Sequence, residues 1–377
     1  MANEDEAPSG WKQIALGEGT VCALDHGGDI TCAGGFLEEA FTDDVSTPFE
    51  AVVSIPRRFL AVTGDGTVYV WKKPRDALMA RLADGPPTDV GRFEKTSGEL
   101  PFMPTFGQGY FVCGEQSGRL RCARISGRKR RVRADNLLAA RDLVSWSWTR
   151  DFDCGVTTDG TLLCRGSNRY GRLARKPQNK DSERRRADGG DGTTIDLPGD
   201  ARARSVRTSG DHVCAVTHDD QLYCWGRNDR NQTGFDGCQT ITHPREVELP
   251  GPVGEVAISG ETTCAQLVDG RVHCWGNFAP PEERLRRRRA RSESRDEKTC
   301  EPDELQAAKT HLVEGARVDG IDVSGGMFCG TSRDGGIVCW GNVTGLDAES
   351  TPVGLEFEQL NREPFQGEVA GVALLLD

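Results

Sequence analysis

The chain contains fourteen cysteines, the residues whose thiols could take part in the most kinds of chemistry. Twelve of them form six pairs whose members are nine or ten positions apart. In three pairs Trp-Gly follows the second cysteine directly, as in HVCAVTHDDQLYCWGRNDRNQTG, residues 212–234. Thiols at such spacing could form disulfides, ligate zinc, fill a core or act as nucleophiles. Which of these chemistries applies depends on the secondary-structure elements that position the cysteines.

The cysteine pairs lie in a unit that the chain repeats seven times. Each copy has an alternating apolar run, a turn such as Asp65-Gly66 or Asp159-Gly160, and a second alternating run, which is typical of a β-hairpin. The second copy has Leu60 and Val70 in place of both cysteines. The copies are VCALDHGGDITCAG from Val21, FLAVTGDGTVYVWK from Phe59, VCGEQSGRLRCAR from Val112, DCGVTTDGTLLCRG from Asp153, VCAVTHDDQLYCWG from Val213, TCAQLVDGRVHCWG from Thr263 and FCGTSRDGGIVCWG from Phe328.

One short strand precedes most hairpins, and a stretch such as HPREVEL after the Trp-Gly is typical of a fourth strand. Seven repeats of four strands predict an all-β fold, a seven-bladed β-propeller. We expect a flexible tail at 1–10 and one propeller at 11–377. The predicted blades are 11–50, 51–105, 106–143, 144–203, 204–253, 254–318 and 319–377, with charged loop insertions at 72–100, 124–136, 167–195 and 277–312.

Four copies place a glycine four residues before the cysteine position. A glycine repeated within strands predicts close backbone approach between inner strands. The four residues are Gly109, Gly210, Gly260 and Gly325.

These repeats resemble the regulator of chromosome condensation repeat family, whose pattern CAL…DG…CWGxNxxGQLG is matched by CAVTHDDQLYCWGRNDRNQTG. The resemblance runs from about Trp11 to Asp377, although the third copy is one residue shorter and three copies lack the tryptophan. It implies the propeller fold, which is also that of the bacterial β-lactamase inhibitory protein II. Some relatives bind chromatin and promote nucleotide exchange on a small GTPase, whereas that inhibitor blocks an enzyme, so the fold alone does not name an activity.

The hairpin register favours disulfides. In the fifth copy Cys214 faces Cys224, and Cβ atoms of opposed residues lie about 4.5–5.5 Å apart, slightly more than the ~3.8 Å of a disulfide. Zinc sites usually gather four ligands, and reduced thiols as core residues remain the second alternative. The predicted bonds are Cys22–Cys32, Cys113–Cys122, Cys154–Cys164, Cys214–Cys224, Cys264–Cys274 and Cys329–Cys339, with a seventh, Cys238–Cys300, between two loops on the same face of adjacent blades.

So many cysteines favour an oxidising compartment, yet the first residues, MANEDEAPSG, lack the apolar stretch of a signal peptide. We therefore expect a mature form whose signal peptide has been removed, exported to the periplasm, the surface or the surroundings of a bacterium. A cytoplasmic protein with reduced cysteines is the alternative. No run of about 18 apolar residues suggests a membrane span, and we expect a monomer.

Long basic insertions follow the third strands, against a net charge of -11. If these loops converge on one face, they form a charged surface that steers a protein partner or an anionic one. Solvated, mobile loops are the alternative, and the acidic total disfavours nucleic acid. The candidate partner-binding residues are Lys129, Arg130, Arg131, Arg184, Arg185, Arg186, Arg286, Arg287, Arg288 and Arg289.

The sequence indicates neither an enzyme nor a cofactor or metal site. It contains no phosphate-binding loop, no HExxH and no EF-hand loop, and its six histidines form no set with a nucleophile. His212 and His273 are expected to be packed strand residues. Asn231-Gln232-Thr233 matches a glycosylation acceptor, a short pattern that often occurs by chance.

The sequence therefore predicts a non-enzymatic binding protein: an exported, disulfide-linked propeller that presents a loop-rich charged face to a protein or anionic partner. The alternative is an intracellular regulator with reduced cysteines, acting as a guanine-nucleotide exchange factor or a chromatin binder. The redox state of the cysteines distinguishes the two hypotheses.

Overall fold

The computed structural model describes the chain in separate stretches. Within them no helix is long and apolar enough to cross a membrane. The described residues are 11–17, 20–34, 41–42, 48–55, 58–72, 92–108, 111–117, 119–126, 131–133, 142–149, 151–177, 192–209, 211–236, 240–277, 306–307, 310–324, 326–332 and 336–341.

The strands follow one another in sets of three or four, and each set forms one sheet, here called a blade and numbered in chain order. Blades 1 to 3 consist of β1 Trp11–Gly17, β2 Thr20–Asp25, β3 Ile30–Gly34 and β4 Phe41–Thr42; β5 Phe49–Ile55, β6 Arg58–Thr63, β7 Thr67–Lys72 and β8 Arg92–Glu99; and β9 Phe106–Gln108, β10 Phe111–Gln116, β11 Arg119–Ser126 and β12 Arg131–Arg133.

Blades 4 to 7 continue the pattern, and one two-stranded ribbon, β20–β25, lies outside the blades. The strands are β13 Leu143–Trp148, β14 Phe152–Thr157, β15 Leu162–Gly166 and β16 Thr193–Ile195; β17 Ala203–Ser209, β18 His212–Thr217, β19 Leu222–Arg227 and β21 Thr240–Glu246, with β20 Phe235–Asp236 between the last two; β22 Val253–Ser259, β23 Thr262–Leu267, β24 Arg271–Gly276 and β26 His311–Arg317, with β25 Gln306–Ala307; and β27 Asp322–Ser324, β28 Met327–Thr331 and β29 Ile337–Gly341.

Every blade is antiparallel, with its strands paired in chain order. The predicted hairpin register is confirmed in blade 5, where Cys214 faces Cys224, Ala215 faces Tyr223 and Val216 faces Leu222. The predicted fold class is confirmed as well, because the chain is all-β, with seven blades that are mostly four-stranded, the pattern of a seven-bladed propeller. Parts of the segments expected to be loop insertions belong to sheets: residues 124–126 and 131–133 pair in blade 3.

The cysteines of six hairpins lie opposite one another at disulfide-bonding distance. Eleven of the twelve are almost completely buried, and Cys122 is partly exposed. The Sγ atoms of Cys22 and Cys32 are 2.04 Å apart, and those of Cys264 and Cys274 are 2.07 Å apart. In blade 2 Leu60 faces Val70 at the same register. The six pairs are Cys22–Cys32, Cys113–Cys122, Cys154–Cys164, Cys214–Cys224, Cys264–Cys274 and Cys329–Cys339.

Aspartates organise the hairpin turns. The carboxylate of Asp65 accepts hydrogen bonds from the Thr63 hydroxyl (2.6 Å) and the Thr67 amide (3.0 Å), while Gly66 adopts φ +82°. The bond from the Thr63 hydroxyl and then that from the Thr67 amide lower the pKa of Asp65 to about 2. The turns at Asp159 and Asp269 show the same direction of pKa shift. The Asp-Gly dipeptides are thus explained by turn geometry.

Two compact units divide the sheets, with blades 1, 2, 3 and 7 in the first and blades 4, 5 and 6 in the second. In the first unit the Gln13 side chain accepts a hydrogen bond from the Val52 amide (3.0 Å). In the second unit Ser145 accepts one from the Val206 amide (3.1 Å), and Ser147 accepts one from the Thr208 amide (3.0 Å). Polar side chains of one first strand therefore satisfy amides on the free edge of the next blade.

The expectation of close backbone approach is wrong at Gly260. This residue lies in the turn between β22 and β23 with φ +58°, and a Cβ atom there would meet nothing within 4 Å. The glycine serves the left-handed turn conformation. The other three glycines of this set lie outside the described residues.

Candidate protein-binding site

The predicted basic residues are mostly beyond the described part of the chain. Arg131 belongs to β12, where its backbone pairs with Ser126, but its side chain lies outside the description. The convergence of these residues on one surface remains a prediction. The nine that lie outside the described residues are Lys129, Arg130, Arg184, Arg185, Arg186, Arg286, Arg287, Arg288 and Arg289.

The start of two long connections is described, and both begin with the same asparagine-centred loop. After β15 the Asn168 side chain accepts a hydrogen bond from the Leu173 amide (2.8 Å) and donates to the Arg175 carbonyl (3.2 Å). After β19 the buried Asn228 side chain accepts from the Thr233 amide (3.0 Å) and donates to the Phe235 carbonyl (2.8 Å). One amide side chain thus fixes each loop.

Asn231 lies within the second loop, at the position that Gly171 has in the first. It adopts φ +61°, is 6% exposed, and donates a hydrogen bond to Asp236 (2.9 Å). Asparagine tolerates the left-handed conformation better than most residues. The glycosylation pattern at Asn231 is therefore explained by the fold, because a buried, bonded amide cannot accept a glycan in the folded protein.

Tryptophans of the following blade hold both loops. The indole N–H of Trp225 donates to the Arg172 carbonyl (2.9 Å), and that of Trp275 donates to the Gln232 carbonyl (3.1 Å). The Arg172 side chain is only 1% exposed; it pairs with Asp151 (3.2 Å) and lies 4.6 Å from the centroid of the Phe152 ring. Loop, blade and neighbouring blade therefore form one packed structure within the second unit.

A buried histidine takes part in the same network. Thr263 donates its hydroxyl proton to the Gln232 carbonyl (2.8 Å), so the Nε2–H of His212 donates to the Thr263 oxygen (2.8 Å). Burial, and secondarily the charge of Arg227, lowers the pKa of His212 to about 3. His212 is thus a neutral structural residue, as expected, and not a general base at neutral pH. His273 is likewise packed, and burial lowers its pKa.

Tyr170 is the unusual residue of the first loop. It is partly exposed and has a left-handed backbone, φ 59° and ψ 22°, directly before Gly171 with φ +73°. The guanidinium carbons of Arg169 and Arg227 lie 4.8 and 5.5 Å from its ring centroid. Arg169 also donates to the tyrosine hydroxyl (2.9 Å). The equivalent residue of the second loop, Arg230, is not left-handed.

Arg227 is held internally by carboxylates. Asp229 lies 2.8 Å from its guanidinium, and Asp211 and Glu261 each lie 3.6 Å away. Burial opposes the charge, but the hydrogen bond to Asp229 and the negative charges of Asp229 and Glu261 outweigh it and raise the pKa of Arg227. Arg227 therefore positions the tyrosine ring as a compensated cation.

Three exposed cations of the same loop have no such compensation. Arg169, Arg175 and Lys176 are exposed and make no ion pair with another described residue. The stretch 165–177, RGSNRYGRLARKP, contains five basic residues and no acidic one, and Arg165 and Arg172 pair with Asp153 and Asp151. Most of this stretch belongs to the charged insertion predicted at 167–195, but the candidate residues predicted in that insertion are Arg184–Arg186. The lack of acidic residues within 165–177 is the signal that could have identified this stretch.

The other end of blade 5 carries an open cleft of about 670 Å³ beside the turn at Pro198. Tyr223 lines it and donates to Gln221 (3.4 Å), and burial first, then Glu246 and Asp219, raises the tyrosine pKa. The phenol stays protonated at neutral pH. Neither this cleft nor the rest of the described chain holds three metal-ligating side chains together.

Sequence comparison identifies part of the second unit as a known repeat. The regulator of chromosome condensation (RCC1) repeat matches residues 203–232, and a second profile of it matches residues 219–266. These segments span blade 5 and the start of blade 6, and they confirm the resemblance seen in the sequence. No curated protein matches the chain.

Two solved structures share the fold at low identity. Prp20p from Saccharomyces cerevisiae, described with its binding to Gsp1p and histones, is 14% identical with a TM-score of 0.50, over 70% of this chain and 71% of that one. Human WBSCR16 is 16% identical with a TM-score of 0.50, over 82% of this chain and 81% of that one. Likeness at this level shows the fold alone.

Proposed function

We propose that this chain with RCC1 repeats is a non-enzymatic, protein-binding propeller, exported and disulfide-linked, that presents its charged loops to a partner. The carrying observation is the loop 167–177, in which a partly exposed tyrosine in a left-handed conformation lies among arginines on a loop fixed by Asn168 and Trp225. Tyrosine and arginine are the side chains that most often dominate protein interfaces. A prearranged loop also binds at a lower entropic cost.

The cysteine pairs support export. Six pairs lie at bonding distance inside hairpins, including Cys22–Cys32 and Cys329–Cys339. In a reducing compartment such disulfides are rare. The joint replacement of one pair by Leu60 and Val70 fits bonded partners, because a single remaining cysteine would have no bond to make.

An intracellular regulator is the second candidate, as an exchange factor or a chromatin binder. It is favoured by the fold shared with Prp20p, a protein described as binding Gsp1p and histones. In that compartment the twelve hairpin cysteines would be reduced core residues.

The first experiment measures the thiols. Protein purified from its native host under thiol-blocking conditions is denatured without reduction, alkylated and weighed intact. We expect no alkyl groups, because all fourteen cysteines are bonded. Fourteen additions would contradict export and favour the intracellular regulator.

The second experiment measures binding. Amine-reactive cross-linking in the intact host, followed by mass spectrometry, should join peptides of a partner protein to Lys176, which belongs to the same loop as Tyr170. The exposed Lys95 in β8 is the matched control lysine. Cross-links to Lys95 alone, or to no other protein, would contradict a partner at the loop 167–177.

A further inference from the structure

We propose that Tyr170 and the neighbouring cations form a docking platform for an acidic, extended segment of a partner protein. The platform consists of Arg169, Tyr170, Arg175 and Lys176, with Arg227 against the ring as a positioning residue. The inference deepens the proposed function, since it names the surface and the chemistry of the partner.

The tyrosine conformation is the first step. A left-handed backbone is unfavourable for a residue with a side chain, and the fold supplies a control for it. Arg230 occupies the same place in the loop after β19 and does not adopt this conformation, while the left-handed residue next to it is conserved between the loops as Gly171 and Asn231. The loop architecture thus does not require a left-handed Tyr170. Such outliers concentrate where a side chain is presented to a ligand.

The arrangement around the ring is the second step. Arg169 and Arg227 both lie within 6 Å of the ring centroid, at cation–π distance. Arg227 is compensated by Asp211, Asp229 and Glu261, so it fixes the ring without attracting a further anion. The ring is therefore a fixed aromatic surface with cations against it.

The local charge determines the partner. Arg169, Arg175 and Lys176 carry three charges that no described residue neutralises, on a chain whose net charge is -11. A short acidic peptide can satisfy these cations and pack apolar side chains on Tyr170. A nucleic acid is disfavoured because the chain as a whole carries a net charge of -11, which repels a long polyanion. The geometry therefore favours an acidic segment of a protein.

The test uses defined probes on the full chain. A fluorescein-labelled peptide (Glu-Leu-Asp) repeated four times carries eight side-chain carboxylates; the neutral peptide (Gln-Leu-Asn) repeated four times and a nine-nucleotide oligothymidylate, with eight phosphates, are the comparisons. Fluorescence anisotropy at low and moderate salt gives each Kd. We expect the acidic peptide to bind at least tenfold more tightly than either comparison, and more weakly as salt rises.

Variants separate the platform from general charge. Arg169→Gln and Arg175→Gln should each weaken acidic-peptide binding about threefold, the effect of one exposed charge pair. Tyr170→Gly keeps the net charge and relieves the backbone, yet should weaken binding at least threefold. Arg202→Gln, an exposed arginine at the opposite end of the blade, is the matched control and should leave Kd unchanged. Asparagine also tolerates the left-handed backbone conformation, so Tyr170→Asn should weaken binding as much as Tyr170→Gly.

Three results would overturn the proposal: no measurable binding of the acidic peptide, tighter binding of the oligothymidylate, or variants at Tyr170 that bind like the wild type. Near-ultraviolet circular dichroism confirms that each variant is folded. These failures are distinct from failure of the proposed function, because a partner cross-linked to Lys176 and fully bonded cysteines would still establish an exported binding protein with another recognition chemistry.

Discussion

The indole N–H of Trp275 and the backbone carbonyl of Gln232 are joined by a hydrogen bond of 3.1 Å that links blade 6 to the loop of blade 5. One blade earlier Trp225 makes the equivalent bond to the Arg172 carbonyl (2.9 Å). Each tryptophan stands directly before a glycine, Gly226 or Gly276, in the last two residues of the third strand. In blades 5 and 6 the Trp-Gly therefore connects a blade with the loop before it, and in blade 5 this connection orients the loop that carries Tyr170.

We expect Trp225→Phe and Trp275→Phe to lower the free energy of unfolding by more than a change from tryptophan to phenylalanine does through lost packing alone. Each change removes a buried hydrogen bond, which contributes about 1 kcal/mol. Trp71→Phe in blade 2 is the matched control, because the Trp71 indole N–H is buried without a hydrogen-bond partner among the described residues. Chemical denaturation measures the three values. Equal losses in all three variants would show that the tryptophans act through packing alone.

His212 should make stability depend on pH in a defined window. Its pKa is about 3 in the folded protein and near 6.5 when unfolded. Above pH 6.5 both states are neutral, so the contribution is constant. As the pH falls towards 3, only the unfolded state takes up the proton, and the free energy of unfolding falls by up to about 1.4 kcal/mol per pH unit.

The measurement is denaturant unfolding at several pH values between 6.5 and 5. His212→Gln should flatten the slope, although His273, whose pKa burial also lowers, leaves a smaller one. The exposed His218 provides the control variant, His218→Gln, which should keep the wild-type slope. An unchanged slope in His212→Gln would show that His212 is not the titrating group.

The fold could be predicted from the sequence because the hairpin register is local. Alternating residues around a short turn determine that Cys214 faces Cys224, and seven copies of the pattern determine the class. Tyr170 could not be predicted in the same way. Its importance depends on a backbone angle and on Arg227, which lies 57 positions later in the next blade. Neither leaves a pattern within one repeat.

A pair of equivalent positions tests the loop geometry itself. Ala174 adopts φ +53° in the first loop, where the second loop has Gly234 with φ +89°. Ala174→Gly should raise the free energy of unfolding by about 0.5 kcal/mol, since glycine avoids the left-handed penalty but loses more chain entropy. Gly234→Ala should lower it by more than this, because the new Cβ would lie 2.9 Å from Val247. Calorimetry of both variants checks the opposite signs.

The last prediction concerns Cys238 and Cys300, which lie outside the described residues. The strands before and after them pair directly: Phe235 faces Ala307 and Asp236 faces Gln306. This ribbon joins the connections that follow β19 and β24, so the chain leaves Asp236 and enters Gln306 at one place. Cys238 follows Asp236 by two residues, and Cys300 precedes Gln306 by six. Both cysteines are therefore close in sequence to the paired residues of the ribbon, and we expect them to bond with each other.

Peptide mapping of the non-reduced protein should find Cys238 joined to Cys300. The double variant Cys238→Ser, Cys300→Ser should fold with its six hairpin bonds intact, because none of those bonds involves either residue. It should be cut faster by trypsin within 278–305, a stretch rich in arginine, since the loop loses a covalent constraint on its motion. Free thiols at both positions in protein from the native host, or equal cleavage rates, would contradict the bond.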